Sequence, residues 1–111
     1  MDKSMTNLHP TFIEILESLC SFDGVHEGNM MSSPAITLSG KVFAFQSKKG
    51  NMVFKFGSIE NLPNRSIAVT EFNPFKNKGP LRGWYEVHED DHQHWQAFAN
   101  VAYELMKSTG R

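Results

Sequence analysis

Cysteine is almost missing from this chain. Cys20 stands alone among 111 residues, so no internal disulfide can form, and the composition fits a reducing compartment. Long apolar runs are missing too. None approaches the roughly 20 residues that span a bilayer, and Met1–Pro10 lacks the apolar centre of a secretory leader. A cytoplasmic setting without membrane association is therefore expected. An excess of one charge is also lacking: 11 basic side chains against 12 acidic ones leave a net charge of −1, which alone calls for no polyanionic partner. There is no G-x-S-x-G elbow, no Cys–His spacing of a known type and no glycine loop that would cradle phosphate. Paired carboxylates occur only as the run Glu89, Asp90 and Asp91, which the start of a helix explains. The sequence points away from an enzyme and calls for no cofactor.

What is there reads as one globular domain spanning 1–111, with 1–9 as a flexible lead-in. Its centre is the stretch 35–56, AITLSGKVFAFQSKKGNMVFKF, three short strands joined by two tight turns. Ser39-Gly40 and Lys49-Gly50 each bring a glycine to a turn. Taken as centres of two-residue loops, they set Ile36 opposite Phe43, Phe45 opposite Phe54 and Phe43 opposite Phe56. Alternation then gathers Ile36, Leu38, Phe43, Phe45, Phe54 and Phe56 on one face, and leaves Thr37, Val42, Ala44, Gln46, Val53 and Lys55 on the other.

Helices flank this meander. Pro10 suits a first helical turn, and Phe12, Ile15, Leu16 and Leu19 follow at helical spacing until Asp23-Gly24. Cys20 adjoins that stripe and reads as a small buried hydrophobe rather than a nucleophile. The connector 25–34 adds a strand around Asn29–Ser32, with Met30-Met31 as packing at a sheet edge. Ser58–Thr70 reads as a short helix capped by Asn61, with an extended Ile67-Ala68-Val69 as the alternative. A loop follows over Phe72–Lys78, then a strand over Pro80–Val87 that puts Trp84 and Tyr85 on opposite faces. The last helix opens on acids, and Trp95, Phe98, Ala99, Ala102, Leu105 and Met106 form its apolar stripe. The expected fold is α+β: an antiparallel sheet of about five strands packed on N- and C-terminal helices, a two-layer sandwich.

Three segments taken in order, Gly40-Lys41-Val42-Phe43-Ala44, Phe72-Asn73-Pro74 and Pro80-Leu81-Arg82-Gly83-Trp84, followed by a helix with a Trp near its start, resemble the N-terminal domain of TfoX competence regulators and its stand-alone bacterial relatives. Those domains carry a G-K-x-F-A hairpin, an F-D-P segment before a glycine-rich loop, and P-M-R/K-x-W/Y entering a strand. The resemblance runs from Pro10 to Met106. It implies an α+β domain related to YjbR-like proteins, with a curved antiparallel sheet on helices. It also implies a regulatory role exerted through partners, as in the transcriptional coactivator itself. Asn73 stands where relatives have Asp and Gly83 where an acid is common. No second domain follows Met106, so the full regulator's role is not expected here.

Two clusters invite chemistry. His88, His92 and His94 lie among acids, but on a helix beginning near Asp90, His92 and His94 point about 200° apart, and metal ligands must converge. A metal-dependent enzyme built on His88–His94 is the weakest reading. The middle of the chain is basic: Lys41, Lys48, Lys49, Lys55, Arg65, Lys76, Lys78 and Arg82 face only Glu60 and Glu71. Lys48, Lys49, Lys76, Lys78 and Arg82 would form one patch if their loops are neighbours. Nucleic-acid binding through these loops is the alternative function. The primary expectation is a non-catalytic protein-interaction or regulatory accessory module, with an unidentified protein or a second copy as partner.

Overall fold

Six antiparallel strands form one sheet, and two helices cover one of its faces, an α+β architecture. The computed structural model describes residues 9–30, 33–47, 50–64, 66–73 and 83–109. The strands are β1 (Val25–Met30), β2 (Ser33–Leu38), β3 (Lys41–Gln46), β4 (Met52–Lys55), β5 (Val69–Glu71) and β6 (Trp84–Val87), and the helices are α1 (Pro10–Leu19) and α2 (Trp95–Thr109). Spatial order is β1-β2-β3-β4-β6-β5, so β1 and β5 are the two edges. The expected sheet of about five strands has six, because Val69–Glu71 pairs with β6 as a further edge strand; the strand expected around Asn29–Ser32 is present but begins earlier, at Val25.

Each helix buries its stripe on the sheet. Phe12, Ile15 and Leu19 of α1 and Trp95, Phe98, Ala99, Ala102 and Met106 of α2 are buried against Phe43, Phe54, Phe56 and Tyr85. Phe98 meets Phe54 and Phe56 at ring-centroid distances of 5.9 and 5.7 Å. Every fully buried side chain of this size contributes about 1.5–3 kcal/mol over leaving it in water. Helix α2 begins later than its acids suggest. Glu89–His94 is a 3-10 segment that kinks at Asp91 (φ −105°, ψ 22°), and regular α-helix starts at Trp95.

The first turn of the meander is as expected, the second is not. Ser39 and Gly40 have φ of 53° and 84°, the sign pattern of a two-residue I′ loop closing Leu38 on Lys41. A two-residue loop at Lys49-Gly50 would demand a lysine in the left-handed region. Gly50 takes that region (φ 87°), and the turn is longer than two residues: Ser47 N–H donates to Asn51 O at 2.7 Å, Gly50 N–H to Ser47 O at 3.0 Å, and the strands resume with Gln46 opposite Met52. Phe45 thus faces Val53, not Phe54, one residue out of the expected register.

A bulge adds to this shift. Thr37 pairs with Val42 but Ile36 with Ala44, so Phe43 is the extra residue on β3. Phe43 and Ala44 both reach the helix-covered cluster, and alternation beyond them is inverted. Phe45 therefore lies on the opposite face, where it joins Ala35, Val53 and Trp84, with Met30, Val42 and Phe72 packed around them. Gln46 moves the other way, and its Oε1 accepts the His9 N–H at the start of α1 at 2.8 Å. Ile36, Phe43, Phe54 and Phe56 keep the face expected of them, and Trp84 and Tyr85 do take opposite faces.

In the stretch 58–70 the expected helix is reduced to a 3-10 turn over Ile59–Asn61, and the chain becomes a strand only at Val69–Glu71, so that of the extended alternative Ile67-Ala68-Val69 only Val69 lies in a strand. Ser58, not Asn61, caps the turn by accepting Glu60 N–H, and Asn61 Nδ2 donates to Phe56 O.

Candidate functional site

Edge strands leave one row of backbone groups without a sheet partner, and β1 is the longer of the two edges. The pairing of β2 fixes which groups of β1 these are. Leu38 closes the I′ loop with Lys41, so Leu38 and Ile36 direct their backbone toward β3, and Thr37, Ala35 and Ser33 direct theirs toward β1. Their partners His26, Gly28 and Met30 are thereby satisfied. Ser39 N–H donating to Gly24 O at 2.8 Å has the same parity. The N–H and C=O of Glu27 and Asn29 point away from the sheet, and neither forms a backbone hydrogen bond among the described residues. Val25 shares this orientation, and its N–H turns back to Phe22 O at 3.3 Å.

The side chains of β1 leave this row open. His26, Glu27 and Asn29 are exposed, and the strand carries no proline, no lysine and no bulge, so that of the usual guards of an edge only the charge of Glu27 is present. Pro34 on β2 stands opposite Asn29 in a pair that exchanges no hydrogen bonds, so its missing N–H costs the β1–β2 ladder nothing. Gly28 is set by packing. A Cβ there would lie 2.7 Å from Thr37 Cγ2, and Thr37 is held in place by donating Oγ1 to His26 O at 3.1 Å. Beside the edge, in the turn from α1, Phe22 is 46% exposed and stacks on Tyr103 at 5.0 Å.

The histidines serve the helix starts instead of converging. His88 Nδ1 accepts Asp90 N–H at 3.0 Å, His92 Nδ1 shares a hydrogen bond with Thr11 Oγ1 at 3.2 Å, and His94 contacts Gln93. Among the described residues no three His, Cys, Asp or Glu side chains are placed to hold a metal ion. Sequence reasoning passed over His9. Its Nδ1 accepts Thr11 N–H at 3.1 Å, its Nε2 lies 3.4 Å from Glu89 Oε2, and its ring meets Trp95 edge-on at 4.8 Å. Asn51 and Glu86 were passed over as well. Asn51 Nδ2 donates to Glu86 Oε2 at 2.9 Å, and Asn51 Oδ1 accepts Glu89 N–H at 2.9 Å. These bonds tie the β3–β4 turn to the end of β6. No local pattern announces Asn51 or Glu86, because the partners in these bonds lie more than thirty residues away.

Lys48, Lys49, Lys76, Lys78, Arg82 and Met31 lie outside the described residues. Gly83 is described, and it closes its position to any side chain: a Cβ would sit 3.2 Å from Gly57 Cα. Its carbonyl accepts Phe56 and Gly57 N–H. Cys20 is exposed at the end of α1, not buried, because it falls one residue past Leu19 and off the apolar stripe. Partial desolvation there and the nearby Glu27 carboxylate hold its thiol above the ordinary cysteine range, which disfavours the nucleophilic thiolate. A depression of about 660 Å³ along α2 is lined by Asn100, Val101, Glu104, Leu105, Lys107 and Ser108, without convergent acid–base groups among them. No helix among the described residues is long and apolar enough to cross a membrane. The chain matches no family model, no curated protein and no solved structure.

Proposed function

We propose that this chain is a non-catalytic protein-interaction domain that binds partners by strand addition at β1. The observation that carries this reading is the outward row of Glu27 and Asn29 on edge strand β1, which has no backbone partner among the described residues. Main-chain bonds of this kind give affinity while alternate side chains give specificity. The resemblance to the N-terminal domain of TfoX regulators, with its helix–meander–strand–helix order, supports a regulatory accessory role of that type. The lone solvent-facing thiol fits a reducing compartment such as the cytoplasm.

Asn29→Pro tests the reading. It removes one outward N–H without touching the β1–β2 ladder, and proline is tolerated on edges. Immobilised wild-type protein should retain specific proteins that the folded Asn29→Pro variant does not. Retention unchanged by the substitution would move the contact surface away from β1. Steeply salt-dependent binding to DNA or RNA that survives Asn29→Pro and is lost on neutralising Lys48, Lys49, Lys76, Lys78 and Arg82 would replace it with the nucleic-acid reading. The sheet offers little for base stacking. Phe43, Phe54 and Phe56 lie under the helices, and Phe45 and Trp84 on the other face are 1% and 9% exposed.

A further inference from the structure

We infer that the occupant of the β1 edge is a second copy of this chain, paired antiparallel across a two-fold axis at Gly28. The inference rests on the reading of β1 as the interaction edge and names its partner. Antiparallel strands exchange hydrogen bonds only where outward-facing residues of one meet outward-facing residues of the other. On β1 these are Val25, Glu27 and Asn29, and three symmetric registers, centred on His26, Glu27 or Gly28, pair two or more of them within the strand.

A two-fold at Glu27 sets Glu27 directly against the partner's Glu27, like charges directly opposite each other. A two-fold at His26 runs the partner's strand past Val25 into Gly24, where φ of 83° turns the chain out of the strand. A two-fold at Gly28 uses His26 through Met30, all inside β1. Glu27 then meets the partner's Asn29, and Asn29 meets the partner's Glu27, each pair exchanging two backbone hydrogen bonds. The Glu27 carboxylate can also accept from the partner's Asn29 amide. On the other face His26 lies beside the partner's Met30.

At the centre, Gly28 opposes the partner's Gly28 in a pair without hydrogen bonds, where backbones come within about 4.5 Å and no side chains intervene. Among these three registers, this one alone pairs Glu27 with Asn29. The sheet would then run unbroken through both copies, with the free row of each β1 satisfied by the other.

Sedimentation equilibrium on wild type and three variants tests this. Wild type should form a concentration-dependent dimer. Asn29→Pro, which deletes a bond, and Asn29→Glu, which sets a second carboxylate against the partner's Glu27, should each weaken it about tenfold or more. The double variant Glu27→Lys with Asn29→Glu should restore it, because each introduced lysine then faces an introduced glutamate. In a Glu27-centred register lysine would face lysine and nothing would be restored. Asn29→Glu changes an exposed side chain, so the test does not depend on Asn29→Pro folding.

A folded monomer at every concentration overturns the inference, as does a dimer indifferent to both Asn29 variants. A monomer whose capture of another protein is lost in Asn29→Pro overturns the second copy and leaves strand addition standing. A dimer and a capture both indifferent to Asn29→Pro overturn the two together.

Discussion

At the scale of single residues, both helical segments begin on a histidine used as a cap. His9 and His88 each accept a backbone N–H two residues ahead through Nδ1, the task that Ser, Asp or Asn side chains more often perform. In His9 the other ring nitrogen, Nε2, faces Glu89 Oε2 at 3.4 Å. Cys20 gives this scale its prediction. Its thiol is raised by partial desolvation and by Glu27, so less thiolate is present at neutral pH than in an unhindered cysteine. Alkylation at pH 7–8 should therefore be slower than that of a free thiol of ordinary pKa (about 8.5). Glu27→Gln removes the anion, lowers the thiol pKa and should speed the reaction. Equal rates in the two proteins would remove Glu27 as a cause.

At the scale of elements, β1 depends on a steric fit that its own sequence does not display. Gly28 lies against Thr37, whose branched Cβ and hydrogen bond to His26 O leave its Cγ2 no room to retreat. Gly28→Ala should cost about 1–3 kcal/mol by overpacking, measured by denaturant unfolding. Thr37→Ser removes Cγ2 but keeps the hydroxyl, and should recover most of the loss in the double variant. No recovery would place the strain in the backbone of β1 instead. The elements themselves were largely legible. The stripe of α2 and the opposed Trp84 and Tyr85 follow from periods of 3.6 and 2, and Ser39-Gly40 from its turn chemistry. The edge was legible only in part. The strand expected around Asn29–Ser32 shares Asn29 and Met30 with β1, but Val25–Gly28 alternate too weakly to announce a strand.

At the scale of the whole molecule, stability rests on the aromatic layer between sheet and helices. Phe54 is fully buried and touches Phe56 and Phe98. Phe54→Ala should cost about 3–5 kcal/mol. Phe54→Asp should abolish cooperative unfolding and the near-ultraviolet signal of the folded state, because its carboxylate would be buried unpaired. A folded Phe54→Asp variant would mean that this layer is not the core. By itself the sequence determined the two terminal helices with their buried stripes, the hairpin at Ser39-Gly40 and the α+β class, since these follow from spacing within a few turns of chain. Only the tertiary structure decided that Phe45 crosses to the other face, that β6 inserts between β4 and β5, and that β1 is left as an open edge. Each depends on which turn closes and which distant strand supplies the hydrogen bonds, a choice among pairings that local periodicity leaves equal.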